Sequence, residues 1–290
     1  MFINLIKKSF DDVIKNPIIT LFLVLYFIIT SIIMTCISLQ RNEIVAIVLI
    51  LTAFLFIAIF IAGWFGVFKE ISVQNPNEPK EKSYIAVFLE NIGINVIPCT
   101  IGLVIYFIFS LLFAYVAYII SLKLFGNPHE IIQQIQTFSN PNDAIEFIKG
   151  IPQDKLVSLY ALPLMLMGAT SLCFFTFMYY FPAIAFNKKS SPFSKAFVAL
   201  KDNFCFLFKH LLCSVCYYLI LCFIYVSVMM LKTIVPSNFA VDILFIFFII
   251  YYMSFAIMII CNYYGQDHSD YNRADSLGEN ESDNSVSEEE

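Results

Sequence analysis

The chain has 290 residues, of which 60% are hydrophobic, 17% aromatic and only 13% charged, with a formal net charge of −5. A soluble domain carries about 25% charged residues, so this chain has roughly half the charge that covers a water-facing surface. That excludes a water-soluble globule and predicts an all-α fold, a polytopic bundle of membrane-spanning helices.

Taken in chain order, the first element is a short amphipathic helix. Phe2, Ile6, Phe10 and Val13 recur on one face while Lys7, Lys8, Asp11 and Lys15 point elsewhere, the pattern of a helix lying in a membrane interface. The first apolar span covers 17–39. It is too long for a signal peptide and has no small-x-small cleavage site, so it is expected to stay as an anchor. A second span covers 44–68, where Ala58, Ala62 and Gly66 recur at every fourth position and allow another helix to approach closely.

The third span, 91–122, contains Pro98 and a polar stripe of Asn91, Asn95, Cys99, Gly102, Tyr106 and Ser110. A proline at membrane depth frees a backbone carbonyl, which is absorbed by packing or lines a cavity. The stripe therefore either glues helices together or faces a cleft. Residues 123–155 are too long for a plain connection. Asn127-Pro128-His129-Glu130 and Asn140-Pro141-Asn142-Asp143 each read as N-cap, proline and acid, and predict two short helices on the outer surface.

The fourth span, 156–186, carries Pro163, Thr170 and Pro182. Behind it, Phe193, Phe197, Leu200 and Phe204 form an apolar stripe with Lys195, Lys201 and Asp202 turned away, a second interfacial helix. The last two spans are 211–231 and 239–264, the latter interrupted only by Asp242, whose nearest basic candidate is Lys232. Residues 265–290 hold nine acids and one base and are expected to be a disordered acidic tail. The remaining 264 residues carry 13 acids and 16 bases, a mildly basic body.

Before each odd-numbered span an aromatic residue stands six or seven positions ahead of an asparagine: Phe10 and Asn16, Tyr84 and Asn91, Phe197 and Asn203. The expected unit is interfacial helix, span, span, repeated three times. The stretch Tyr179-Tyr180-Phe181-Pro182-Ala183-Ile184-Ala185-Phe186, a short basic turn, and Phe193-Ser194-Lys195-Ala196-Phe197-Val198-Ala199-Leu200-Lys201-Asp202-Asn203 carries a likeness. It resembles the central signature of a loose bacterial superfamily of six-helix membrane proteins, similar to the membrane domain of some glycerophosphoryl diester phosphodiesterases. The resemblance implies a six-span bundle in a bacterial inner membrane. It implies no activity, because the soluble phosphodiesterase domain has no counterpart here.

Counting bases on alternate sides places twelve inside and five outside when the N-terminus is cytoplasmic, so both termini are expected inside. Trp64, Tyr179, Tyr180, Tyr263 and Tyr264 then fall at cytoplasmic span ends, where their rings would meet headgroups.

No motif for phosphate cradling, nucleophilic catalysis or metal binding occurs, and the eight cysteines sit singly or as Cys213-x-x-Cys216 in apolar sequence. No catalytic, cofactor or metal site is expected, and the scattered bases exclude nucleic acid. The leading reading is a non-enzymatic membrane protein associated with lipids, with other envelope proteins or with itself, its Lys188, Lys189 and Lys195 touching anionic headgroups. The alternatives are a small transporter or permease component, with Asn95, Tyr106, Ser110 and Thr170 around a cavity, and a lipid-modifying membrane enzyme.

Overall fold

The computed structural model describes residues 2–74, 82–138, 140–187, 191–236 and 238–284. Among them the chain forms eleven helices and no strand. These are α1 (Phe2–Lys15), α2 (Ile18–Leu39), α3 (Glu43–Val73), α4 (Tyr84–Phe125), α5 (His129–Thr137), α6 (Pro141–Gly150), α7 (Gln153–Thr176), α8 (Tyr180–Phe186), α9 (Pro192–Lys209), α10 (Leu211–Ile234) and α11 (Phe239–Asn284). Six stretches are long and apolar enough to cross a membrane: α2, α3, α4, α7 with α8, α10 and the part of α11 up to Gln266. The expected spans match them to within a few residues except at the start of α4, where the segment before Asn91 is continuous with the span. By contrast, α1 and α9 are separate helices.

The apolar pattern ends at Tyr264, but α11 continues as one helix to Asn284, through sequence expected to be disordered. Extending an existing helix adds one hydrogen bond per residue without a new nucleation cost. Of the two short helices of 123–155, α6 begins at Pro141 as its cap predicts, while α5 begins at His129, one residue later than predicted, with Pro128 in the N-cap place and Asn127 Oδ1 accepting the His129 N–H at 3.0 Å. Gly126, at φ +86°, supplies the left-handed residue that ends α4.

The chain divides into two compact units, 1–102 with 178–290, and 103–177. In the first, Val13, Ile19, Leu23, Phe60, Trp64, Val67, Phe68, Met258 and Cys261 join α1, α2, α3 and α11 in one core. Trp64 is only 4% exposed and donates its indole N–H to the Ile19 carbonyl at 3.3 Å. Tyr179, Tyr180, Tyr263 and Tyr264 are buried as well. The expected headgroup belt is therefore absent at these five residues, which pack inward on rings such as Phe206, 4.6 Å from Tyr179 and 4.9 Å from Tyr264.

Polar side chains fasten the elements. Asn262 of α11 donates to Ser9 Oγ at 3.0 Å and to Asp12 Oδ2 at 3.1 Å, docking α1, while Lys8 donates to the Ser72 carbonyl of α3 at 3.1 Å. Burial pushes the Asp12 carboxyl above its ordinary range, and the Asn262 hydrogen bond offsets part of that. Ala58, Ala62 and Gly66 are buried along α3. The Asn91 side chain lies where a β-carbon on Gly66 would stand, so α4 crosses α3 at a glycine. In the second unit, Tyr106 and Phe109 of α4 meet Phe177 edge-on, with centroids 5.7 and 5.2 Å apart.

The Gly66 crossing yields a stability prediction. Gly66→Val forces Asn91 from its place and is expected to cost about 1–3 kcal/mol, read as a fall in the thermal unfolding midpoint of the detergent-solubilised protein. Gly93→Ala, a position with open space around it, serves as the control.

Candidate functional site

The fourth span breaks before Pro182. This residue has no N–H to offer the Met178 carbonyl, so α7 ends at Thr176, residues 177–179 turn, and α8 starts at Tyr180. The Tyr179 N–H finds a side chain instead, donating to Asn203 Oδ1 of α9 at 3.0 Å. Tyr179 Oη and Ser214 Oγ of α10 are 2.8 Å apart, and the Tyr180 hydroxyl donates to the Ala196 carbonyl at 3.2 Å. These bonds hold α9 against the break.

In that position α9 turns its Lys195, Ala196, Ala199, Asn203 and Phe206 inward and leaves Phe193 and Phe197 exposed. This reverses the expected placement of Lys195 on the water-facing side. The small residues of α9 let it pack closely on α8, and the lysine between them goes in with that face. Lys195 is 4% exposed and donates to Asn95 Oδ1 of α4 at 2.6 Å. Asn95 Nδ2 donates to Asn91 Oδ1 at 3.0 Å, and Asn91 Nδ2 donates to the Val87 carbonyl at 2.9 Å. Three side chains thus form one hydrogen-bonded line with every amide oxygen turned toward the ammonium end. Burial holds the Lys195 amine below its ordinary value of 10.5, and repulsion from Lys69 adds to the effect.

The polar stripe of α4 serves two environments. Asn91, Asn95, Pro98, Cys99 and Gly102 belong to the first unit, where Cys99 and Pro98 are buried and the Tyr180 ring lies 2.6 Å from where a Gly102 β-carbon would stand. Tyr106 and Ser110 belong to the second, where the Ser110 side chain hydrogen-bonds Cys173. Neither Thr170 nor Pro163 lines an interior space: both are exposed, and the Thr170 hydroxyl bonds back to the Leu166 carbonyl of its own helix at 2.9 Å. Pro182 is buried in α8. Lys188 and Lys189 lie outside the described residues. At the far end of the sixth span Asp242 stands 3.9 Å from Lys232, the partner named from sequence.

Sequence reasoning missed an apolar groove. Phe10, Val13 and Ile14 of α1, Ile224 of α10, and Phe248 and Tyr252 of α11 enclose about 200 Å³ with almost no polar lining. Tyr252 keeps its hydroxyl out of the groove by donating to the Leu221 carbonyl at 2.6 Å. A further space of about 200 Å³, between Val228 and Leu231 of α10 and Leu244 and Phe245 of α11, also reaches Phe248. No single motif announces the groove, because α1 lies at the other end of the chain from α10 and α11. Among the described residues no group of three histidine, cysteine or acidic side chains could hold a metal ion.

Fold and site define the class: a multi-pass, all-α membrane protein with a buried lysine–asparagine chain and an apolar groove. No protein-family model matches the chain, and no curated protein or solved structure matches it either.

The buried lysine sets a pH dependence. A lysine whose folded pKa lies below its unfolded one burdens the fold fully at low pH, and the burden lifts as pH rises from the folded value toward 10.5. Wild-type protein is therefore expected to gain midpoint relative to Lys195→Met between pH 7.5 and pH 10, measured as the difference between the two unfolding curves.

Proposed function

We propose that the chain is a non-enzymatic integral membrane protein that holds membrane lipid, with an acyl chain lying in the groove between α1, α10 and α11. The observation that carries this reading is the groove itself. Its walls are apolar, two of its three helices are spans, and the third, α1, carries Lys7, Lys8 and Lys15. An apolar space at membrane depth offers water no partners but suits hydrocarbon. Basic residues on a neighbouring interfacial helix favour anionic headgroups by about 1 kcal/mol each.

On this reading α1 and α9 lie in the cytoplasmic interface of a bacterial inner membrane, with both termini inside, as the excess of bases on that side supports. The exposed Phe193 and Phe197 of α9 then face lipid while the opposite side packs on the bundle. The chain is read as three units of interfacial segment, span, span, the middle segment running on into its span as the start of α4. In support, the asparagine that closes each motif accepts a hydrogen bond through its side chain: Asn16 from the Tyr84 hydroxyl at 2.7 Å, Asn91 from Asn95 at 3.0 Å and Asn203 from the Tyr179 N–H at 3.0 Å. The resemblance of residues 179–203 to the superfamily of six-helix membrane proteins agrees with this arrangement. A second reading, a small permease, draws on the buried Lys195–Asn95–Asn91 chain beside Pro98.

Filling the groove tests the first reading. Ile224→Trp is expected to lower the phospholipid that co-purifies in mild detergent, measured by mass spectrometry of the intact complex, without loss of the folded protein. Unchanged lipid content would refute acyl-chain binding there. Cysteines introduced one at a time at Ser276 and Gln134 are expected to react with an impermeant maleimide from opposite faces of the membrane. Labelling of both from the same face overturns the topology.

A further inference from the structure

The space beside Leu231 and Leu244 has no part in the acyl-chain reading, yet it continues the groove. On α11, Leu244, Phe248, Tyr252 and Phe255 recur at spacings of four, four and three, which sets them on one face of the helix. On α10, Ile224, Val228 and Leu231 recur at four and three and share a face in the same way. Rising numbers on α10 meet falling numbers on α11: Leu221 is bonded to Tyr252, while Val228 and Leu231 share a space with Leu244 and Phe245. The two spaces, each of about 200 Å³, therefore lie in file along one seam.

Phe248 is the side chain common to both. Its ring closes the space that begins at α1 and opens the next one. Length gives this division its meaning. Along α11 the wall from Phe255 to Phe248 is about 10 Å long and the wall from Phe255 to Leu244 about 17 Å, at a rise of about 1.5 Å per residue. One leaflet is about 15 Å deep, half of a hydrocarbon core about 30 Å thick. A chain of full leaflet length thus needs both spaces, and the Phe248 ring confines it to the first.

The two ends of the seam differ in charge. At one end α1 carries Lys7, Lys8 and Lys15 against Asp11 and Asp12, an excess of base. At the other, Lys232 follows Leu231 and stands 3.9 Å from Asp242, so the cation there meets an acid. An anionic headgroup is therefore favoured at the α1 end, with its chain running toward Phe248.

We propose that the two spaces form one slot for a single acyl chain of an anionic lipid, entered from the α1 end, and that Phe248 limits the length of the chain it holds. The proposal rests on the acyl-chain reading of the groove and adds a specificity to it: chains shorter than a leaflet are retained, and longer ones are admitted only when the ring is removed.

The test uses the full chain purified in mild detergent and reads the acyl composition of the retained phospholipid, by mass spectrometry of the intact complex, against the total lipid of the same host membranes. In the wild type the longest host chains are expected to be depleted about fivefold, the order of exclusion that overfilling a limited space imposes. Phe248→Ala joins the two spaces and is expected to remove that depletion. Val228→Trp fills the second space; alone it is expected to leave the wild-type profile unchanged, and combined with Phe248→Ala to restore the depletion. The proposal is overturned, with the acyl-chain reading left standing, if the wild type retains host chains in their membrane proportions or if Phe248→Ala retains the same lengths as the wild type. A gain in length that persists in the double variant overturns it too. A wild type that holds no lipid, or whose seam is covered by a second copy in a lipid-free dimer, refutes the acyl-chain reading and this proposal together. Phe248 is exposed, so its truncation removes little core packing; should Phe248→Ala still fail to fold, Phe248→Leu is judged by the same outcomes.

Discussion

Hydrocarbon offers no partner to a polar group, and that constraint organises this molecule. A polar side chain on a span is stabilised by a hydrogen bond within the protein, and those that reach another helix become the fasteners between elements. Trp64 ties α3 to α2, Asn262 ties α11 to α1, Asn203 ties α9 to the break before α8, and Lys195 ties α9 to α4. Large apolar side chains have no such need and stand outward in number along the spans, Phe223 and Leu244 among them. Along the spans the usual rule of a polar outside is inverted, while the core stays apolar.

That inversion explains how one irregularity propagates. Pro182 denies a hydrogen bond to the helix behind it, the chain turns at 177–179, and the Tyr179 N–H is left to be satisfied from elsewhere. Asn203 supplies the acceptor and thereby sets where α9 lies. Once α9 is seated, its alanine face packs inward and takes Lys195 into the interior, where Asn95 meets it. A missing backbone donor and a buried charge are thus connected through one short helix. Asn95 in turn meets Asn91, which crosses α3 over Gly66, so the small-residue stripe of the second span and the polar stripe of the third belong to the same contact.

The groove has a different origin. α10 and α11 are bonded through the Tyr252 hydroxyl and the Leu221 carbonyl, but they leave apolar space on either side of Phe248. α1 borders that space with Phe10, Val13 and Ile14 while Asn262 holds it in place through Ser9 and Asp12. A polar clamp on one side of α1 and an apolar wall on the other make this helix the natural link between bundle and lipid.

The one-dimensional pattern determined the helical class, the position of six spans, the two capped helices after Asn127 and Asn140, and the Asp242–Lys232 pairing. Each of these depends on residues close in sequence or on the length of an uninterrupted apolar run, and both can be read directly from the chain. Amphipathicity was legible too, but not its direction. A stripe of phenylalanines on α9 means the same to a sequence whether it faces lipid or a protein core. Only the tertiary structure decided that Phe193 and Phe197 stand outside and Lys195 inside, and that Trp64 packs on phenylalanine rings and the paired tyrosines on one another rather than on headgroups. The Lys195–Asn95 contact and the groove around Phe248 were beyond sequence for the same reason: they join helices a hundred or more residues apart, and burial is a property of the neighbours a side chain meets.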